Sequence, residues 1–163
     1  NNPPEAIVTP QMVVDQIDRY NSPSDASGHL YGAIIASLRN YRDAVNSGKY
    51  TDYHLAFCAH YVGDLSQPLH NTSYNDYNRH YHAATDDVID REVLDNVASI
   101  EVNTLRIQSE EDLAREVARI ANLSKALGVR LEREDRMLSR AEAYAQISHS
   151  ASLLRAILVF IGR

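Results

Sequence analysis

Residues 60–70 read HYVGDLSQPLH and residues 82–86 read HAATD. Each stretch opens with a histidine followed four positions on by an aspartate, giving the pairs His60–Asp64 and His82–Asp86. On a helix, residues four apart share a face. Each pair therefore offers an imidazole nitrogen and a carboxylate oxygen side by side, the donor types zinc takes. The same borderline-to-hard donors suit manganese or iron, so the spacing prefers zinc without requiring it. Pro68 ends the first of the two helices and turns the chain, which brings His70 in from a second direction. One His-x3-Asp pair is an ordinary surface hydrogen bond. Two pairs on neighbouring helices, with a third histidine after a proline, favour a metal site. Gly63 sits between His60 and Asp64, where glycine costs about 1 kcal/mol relative to alanine. Its expected use is a close approach of another backbone.

The other residues of these types have plainer readings. His80 would stand four residues before Ala84, so His82 is the better ligand. His54 lies about 120° from the His60 face at the roughly 100° advance per residue of a helix, and reads as structural. His149, between Ser148 and Ser150, reads as structural too. Tyr61, Tyr74, Tyr77 and Tyr81 surround the motif and are expected to pack and donate hydrogen bonds. Ser66 has no glycine elbow around it and is no nucleophile. Cys58 is the only cysteine, so no intrachain disulfide forms.

Helices must position these groups. Thr9 before Pro10 is an N-cap followed by proline at the first helical position, and Met12, Val13, Gln16, Ile17 and Tyr20 continue at helical spacing. Residues 21–28 (NSPSDASG) form a turn-rich break. A second helix is predicted from His29 to about Asn46, ended by Ser47-Gly48. Thr51 caps a third, running to about Ser66. A polar loop over 71–78 leads to a fourth helix from about Arg79 to Ser99. Ser109-Glu110-Glu111-Asp112 is a capping-box pattern opening a fifth helix to about Ala126. Gly128 is expected to break it, and a last helix covers about Arg136 to Phe160. With no strand alternation and no repeat, the expected fold is all-α: one single-domain helical bundle, residues 1–163, of about six helices around a metal cluster.

Composition bounds the function. The 163 residues carry a formal net charge of -6, which disfavours stable nucleic-acid binding because counterion displacement needs Lys and Arg. No basic stretch interleaved with aromatics is present to track a single strand. Asn1-Asn2-Pro3-Pro4 has neither the basic start nor the apolar run of a leader. The segment from Leu153 to Ile161 is too short for a transmembrane span.

HYVGDLSQPLH resembles the His-x3-Asp-x5-His signature of the bacterial zinc phospholipases C and the related single-strand-specific zinc nucleases. HAATD resembles their second His-x3-carboxylate, which is His-x3-Glu in the phospholipase branch. The likeness is strong over about 54–90, looser from 27 onward, and only generally helical in the C-terminal half. It implies an all-helical enzyme that hydrolyses phosphodiesters on a three-zinc cluster. Carried over by position, His60 and Asp64 serve one zinc, and His70, His82 and Asp86 a second. His29 stands for the upstream histidine of the first zinc, and Asp25 for an upstream aspartate that is a further ligand or a general base. The family's third zinc uses an N-terminal tryptophan and a nearby histidine. Here there is no tryptophan, and the first histidine is His29. Either a segment precedes this chain or the protein holds two metals, and two zinc ions are expected from these residues.

The resulting expectation is metal-assisted hydrolysis of a phosphate ester, in which coordination lowers the pKa of water towards neutrality. Asp64 and Asp25 are the catalytic candidates. The substrate is expected to be a small phosphate ester or a phospholipid head group, met at the membrane periphery, by a secreted or periplasmic protein. Two alternatives stand beside this phospholipase C-like reading: a single-strand nuclease of the same superfamily, and a metal-stabilised helical module that binds a partner and does no chemistry.

Overall fold

A computed structural model describes residues 3–25 and 28–162, leaving aside the side chains of residues 90 and 92–94. Residues 26 and 27 of the expected break, and Asn1 and Asn2 of the opening read for a leader, lie outside the described residues. The structure is all-α, with six helices and no strand among the described residues. They are α1 (Pro10–Asp15), α2 (Leu30–Asn46), α3 (Asp52–Ser66), α4 (Asp76–Asp95), α5 (Glu110–Arg133) and α6 (Arg140–Phe160). Short 3-10 turns occupy Ile17–Arg19, Pro68–His70 and Val97–Ser99.

The main apolar cluster joins Val13 and Ile17 to Ile34, Ile35 and Leu38 of α2, Cys58, Val62 and Leu65 of α3, Leu113, Val117 and Ile120 of α5, and Leu153 and Ile157 of α6. Burial pushes the Cys58 thiol up to about 12, so it behaves as a small apolar residue. A second, smaller cluster of Leu127, Leu131, Leu138 and Ala143 carries α4 through Tyr77, Val88 and Ile89. No helix is long and apolar enough to cross a membrane among the described residues.

The termini follow local chemistry. Thr9 accepts a hydrogen bond from the Met12 amide at 3.2 Å, as its place before Pro10 predicts. Thr51 occupies the N-cap of α3 but makes no cap bond; its hydroxyl donates to Asp52 at 3.3 Å. Ser109 accepts from the Asp112 amide at 3.1 Å, while Asp112 accepts from the Gln108 amide at 3.0 Å, so only half of the expected capping box forms. The complete box is at Ser139 and Glu142, which sets the start of α6 at Arg140 rather than near Arg136.

Several expectations are corrected. The fourth helix, expected to reach about Ser99, ends at Asp95, and Val97–Ser99 form a separate 3-10 turn. The helical spacing over 10–20 is split, because α1 ends at Asp15 and a 3-10 turn carries Ile17. Residues 76–78 belong to α4 and not to a loop, since Asn75 accepts from the Asn78 amide at 3.0 Å and nucleates the helix earlier. Gly128 does not break α5, which runs through it to Arg133. A β-carbon there would lie 2.7 Å from Thr72 Cγ2 and 2.9 Å from the Pro68 carbonyl oxygen. The glycine is a contact point, where α5 presses on the turn that carries His70. Gly63, where close approach was expected, has nothing within 4 Å of such an added carbon. It faces a cleft.

Candidate metal centre

The site is built where the end of α3, the 3-10 turn at Pro68–His70 and the first half of α4 meet. Asp64 projects from the last turn of α3. One of its oxygens lies 3.3 Å from His60 Nε2, and the other 3.3 Å from His70 Nδ1. Pro68 ends α3 as its fixed φ and missing N–H require, and the following turn directs His70 towards α4. There His70 Nε2 lies 3.0 Å from His82 Nε2, with the two rings nearly parallel at 19° and 4.8 Å between centroids. His82 Nε2 is 3.6 Å from Asp86 Oδ2. Five of the seven residues named from sequence thus form one continuous chain of contacts: His60, Asp64, His70, His82 and Asp86.

Two neutral amides orient this chain, and their own orientations are fixed by the backbone. Gln67 takes the Leu69 and His70 amides on its Oε1, the second at 3.1 Å, so its Nε2 faces Asp86 and donates to Oδ1 at 2.6 Å. Asn78 Nδ2 donates to the Leu69 carbonyl at 2.7 Å and to Thr72 Oγ1 at 3.2 Å, so its Oδ1 is left to accept from His82 Nδ1 at 2.9 Å. Both amides are buried.

These partners decide the imidazole tautomers. A ring nitrogen facing an amide oxygen must carry the proton, so neutral His82 keeps its lone pair on Nε2. A carboxylate only accepts, so Asp64 likewise favours the proton of neutral His70 on Nδ1. Two lone pairs then face one another at 3.0 Å, with the free Asp86 oxygen beside them. That arrangement is repulsive unless a proton or a metal cation lies among them. His70, His82 and Asp86 also form a group whose ligand atoms all lie within 4.8 Å of one another. Two nitrogens bound to zinc at 2.0–2.1 Å with a tetrahedral angle stand about 3.3 Å apart. The separations of 3.0 and 3.6 Å bracket that value. The donor set fits a transition metal.

The group opens onto a cleft of about 510 Å³. His60, Asp64, His70 and Asp86 line one side; Ala59, Gly63, Ile89, Ile147 and Ser150 are among the rest. Among the described residues, no lysine or arginine lines it. Of the surrounding tyrosines, Tyr61 and Tyr77 pack on the two apolar clusters and Tyr81 lies against Tyr77, whereas Tyr74 is exposed. Tyr77 donates to the Arg136 carbonyl at 2.6 Å, and burial raises its hydroxyl to about 12. Burial, then the neighbouring Tyr20 and Asp64, raises Tyr61 to about 12 as well.

His29 and Asp25 form their own hydrogen-bonded pair, Nδ1 to Oδ2 at 2.8 Å. They meet the α3 face through rings: Tyr20 stands edge-on to His29 at 5.8 Å and to Tyr61 at 6.0 Å. His54 stacks edge-on to Tyr53. His149 lines a different depression beside Gln146 and Leu127, and burial followed by the Arg119 charge lowers its pKa. Sequence reasoning missed Gln67 and Asn78. Asn78 stands four residues before His82 and eight before Asp86, so the helical period could have found it. Gln67 had no such signal. No protein-family model, curated protein or solved structure matches this chain.

Proposed function

We propose that this chain is a zinc-dependent phosphoric ester hydrolase, phospholipase C-like, whose principal metal is held by His70, His82 and Asp86. One observation carries the reading: two histidines from separate elements, each with its Nδ1 beside a polar partner, bring their Nε2 atoms together beside a carboxylate oxygen. A dication held there would polarise a phosphoryl oxygen and generate a nucleophile from water at neutral pH. The remaining work belongs to the chain. Asp64 orients His70 and places negative charge beside the site. His60 and Asp64 offer the beginnings of a second metal site, to which His29 and Asp25 are assigned by resemblance alone. Gly63 keeps the floor of the cleft open for the substrate.

The lining favours a small phosphodiester over a polynucleotide. Among the described residues it carries carboxylates and no lysine or arginine, while a long polyanion needs Lys and Arg along its path. A phospholipid head group is the preferred substrate class, and a secreted or periplasmic location goes with that reading.

A second reading has its own observation. α4 is held by partly buried apolar residues and by polar ties, so a metal there could serve as a clip joining α4 to the His70 turn with no turnover. Elemental analysis of chain purified without chelator, with assay of a chromogenic phosphodiester, separates the two. The enzyme reading expects zinc and turnover. It also expects Asp64→Asn to lose about a hundredfold in turnover, the scale of removing a principal electrostatic contributor, while His54→Gln loses far less. Zinc without turnover of any phosphodiester would leave the clip; absence of any transition metal would end both.

A further inference from the structure

We infer that Gln67 sets the metal preference of this site by holding Asp86 to a single ligand oxygen. The inference rests on the proposed metal at His70, His82 and Asp86 and adds a role for a residue that touches no metal. Gln67 Nε2 donates to Asp86 Oδ1 at 2.6 Å, which leaves Oδ2 as the oxygen facing His82 Nε2. The amide cannot turn over, because its Oε1 already accepts from the Leu69 and His70 backbone amides. Nor does water compete for it, since the side chain is 4% exposed. One buried side chain therefore fixes the backbone of one ligand and the carboxylate of another, across two elements.

The chemical consequence is a coordination number. With Oδ1 committed, Asp86 gives one oxygen, and His70 and His82 give one nitrogen each. Three single-atom ligands and one open position make the four-coordinate set that zinc and cobalt accept. Manganese and magnesium prefer six ligands rich in oxygen, and a carboxylate able to give both oxygens would serve them better. Selectivity among divalent metals comes from geometry and ligand number more than from raw affinity, and Gln67 controls the ligand number here.

The test titrates zinc and manganese into chelator-stripped full-length chain, against a chromophoric competitor, for wild type, Gln67→Glu and Gln67→Met. Gln67→Glu keeps an acceptor for the two backbone amides but cannot donate to Asp86; Gln67→Met removes both functions at similar size. Both variants are expected to narrow the zinc-to-manganese affinity ratio by about tenfold or more, the lower end of what residues behind metal ligands usually contribute. If both affinities fall by the same factor and the ratio holds, Gln67 is scaffolding and the inference is overturned while the metal site stands. If wild type binds neither metal, the inference falls together with the site. The cobalt(II) derivative of wild type decides the matter even where a variant does not fold: an intense four-coordinate visible spectrum is expected, and a weak six-coordinate one overturns the inference.

Discussion

Two helices of similar length, α4 with 20 residues and α5 with 24, are held in opposite ways. α5 buries Leu113, Ala114, Val117, Ala118, Ile120 and Ala121 at the three- and four-residue spacing of an apolar stripe, and all six sit in the main cluster. Its ends are well made, with Ser109 as N-cap, three acidic residues in the first turn and two arginines in the last. The fully buried side chains described on α4 are Asn78 and Thr85, both polar. Among the described residues, its apolar hold is Tyr77, Val88 and Ile89, each only partly buried. Polar ties add to this: Asn78 on the Leu69 carbonyl, Gln67 on Asp86 and Tyr77 on the Arg136 carbonyl. Two of the three proposed ligands, His82 and Asp86, thus sit on the helix whose described side chains are the less buried, and α5 forms a platform beneath the turn that carries the third, His70.

The largest expected effect probes the platform. Leu113→Ala removes a fully buried side chain from the main cluster and should cost about 2–5 kcal/mol, as large-to-small core changes do. Val88→Ala on α4 should cost clearly less, because Val88 is only partly buried. Urea unfolding monitored by circular dichroism measures both through the midpoint shift at constant slope. Equal costs would erase the contrast between the helices.

Metal removal probes the other side. A ligand that binds only the folded state adds about 2.7 kcal/mol when present at a hundred times its dissociation constant. Stripping metal with a chelator should therefore lower the melting temperature. Amide hydrogen exchange should rise first in α4 and the Pro68–His70 turn, with α5 protected until global unfolding. An unchanged melting curve after verified metal loss would show that the polar ties hold α4 unaided.

Legibility in the sequence follows the same division. α2 and α3 were bounded closely, because their apolar periods and terminating residues act locally. The start of α5 at Ser109 was also local. Its end was not, since glycine is a helix breaker by propensity, and only the approach of Thr72 and Pro68 explains why Gly128 stays helical. The four-residue pairs His60–Asp64 and His82–Asp86 were readable from the helical repeat, and the approach of His70 from the proline that ends α3. The roles of Gln67 and Asn78 were not, because each depends on acceptors and donors brought together by tertiary folding. Asp25 and His29 meet each other as their four-residue spacing suggests, but spacing says nothing of where such a pair docks.

Gly128 joins the two regions, and its replacement should disturb both. In Gly128→Ala the new methyl meets Thr72 Cγ2 at 2.7 Å and the Pro68 carbonyl at 2.9 Å unless something moves. Thr72 can rotate, but the carbonyl belongs to the backbone of the turn carrying His70. Overpacking of this kind costs about 1–3 kcal/mol. Zinc affinity measured by competition should fall alongside stability, since His70 moves with its turn. A stability loss with unchanged zinc affinity would show that α5 does not position the ligand.

The smallest expected effect lies at the junction of α5 and α6, away from the ligands. Glu142 closes the capping box on Ser139, and accepts from Arg136 at 2.8 and 2.9 Å and from Arg130 at 2.6 Å. The Arg136 bonds are the main cause holding its carboxyl well below the usual range; burial opposes them, and the Ser139 amide and hydroxyl add to them. A folded-state pKa depressed in this way contributes stability that is fully present above the unfolded glutamate value of about 4.3. It is lost as pH falls from there through the folded value. Glu142→Gln should therefore be less stable than wild type at neutral pH, with the gap closing steadily as the solution is acidified below about pH 4. Urea midpoints measured at several acid pH values would show this directly. Because the pair spans the α5–α6 connection and not α4, zinc affinity of Glu142→Gln at neutral pH should match wild type. A gap that widened on acidification would mean that Glu142 is protonated more easily in the folded chain than in the unfolded one, contrary to the bonds it makes.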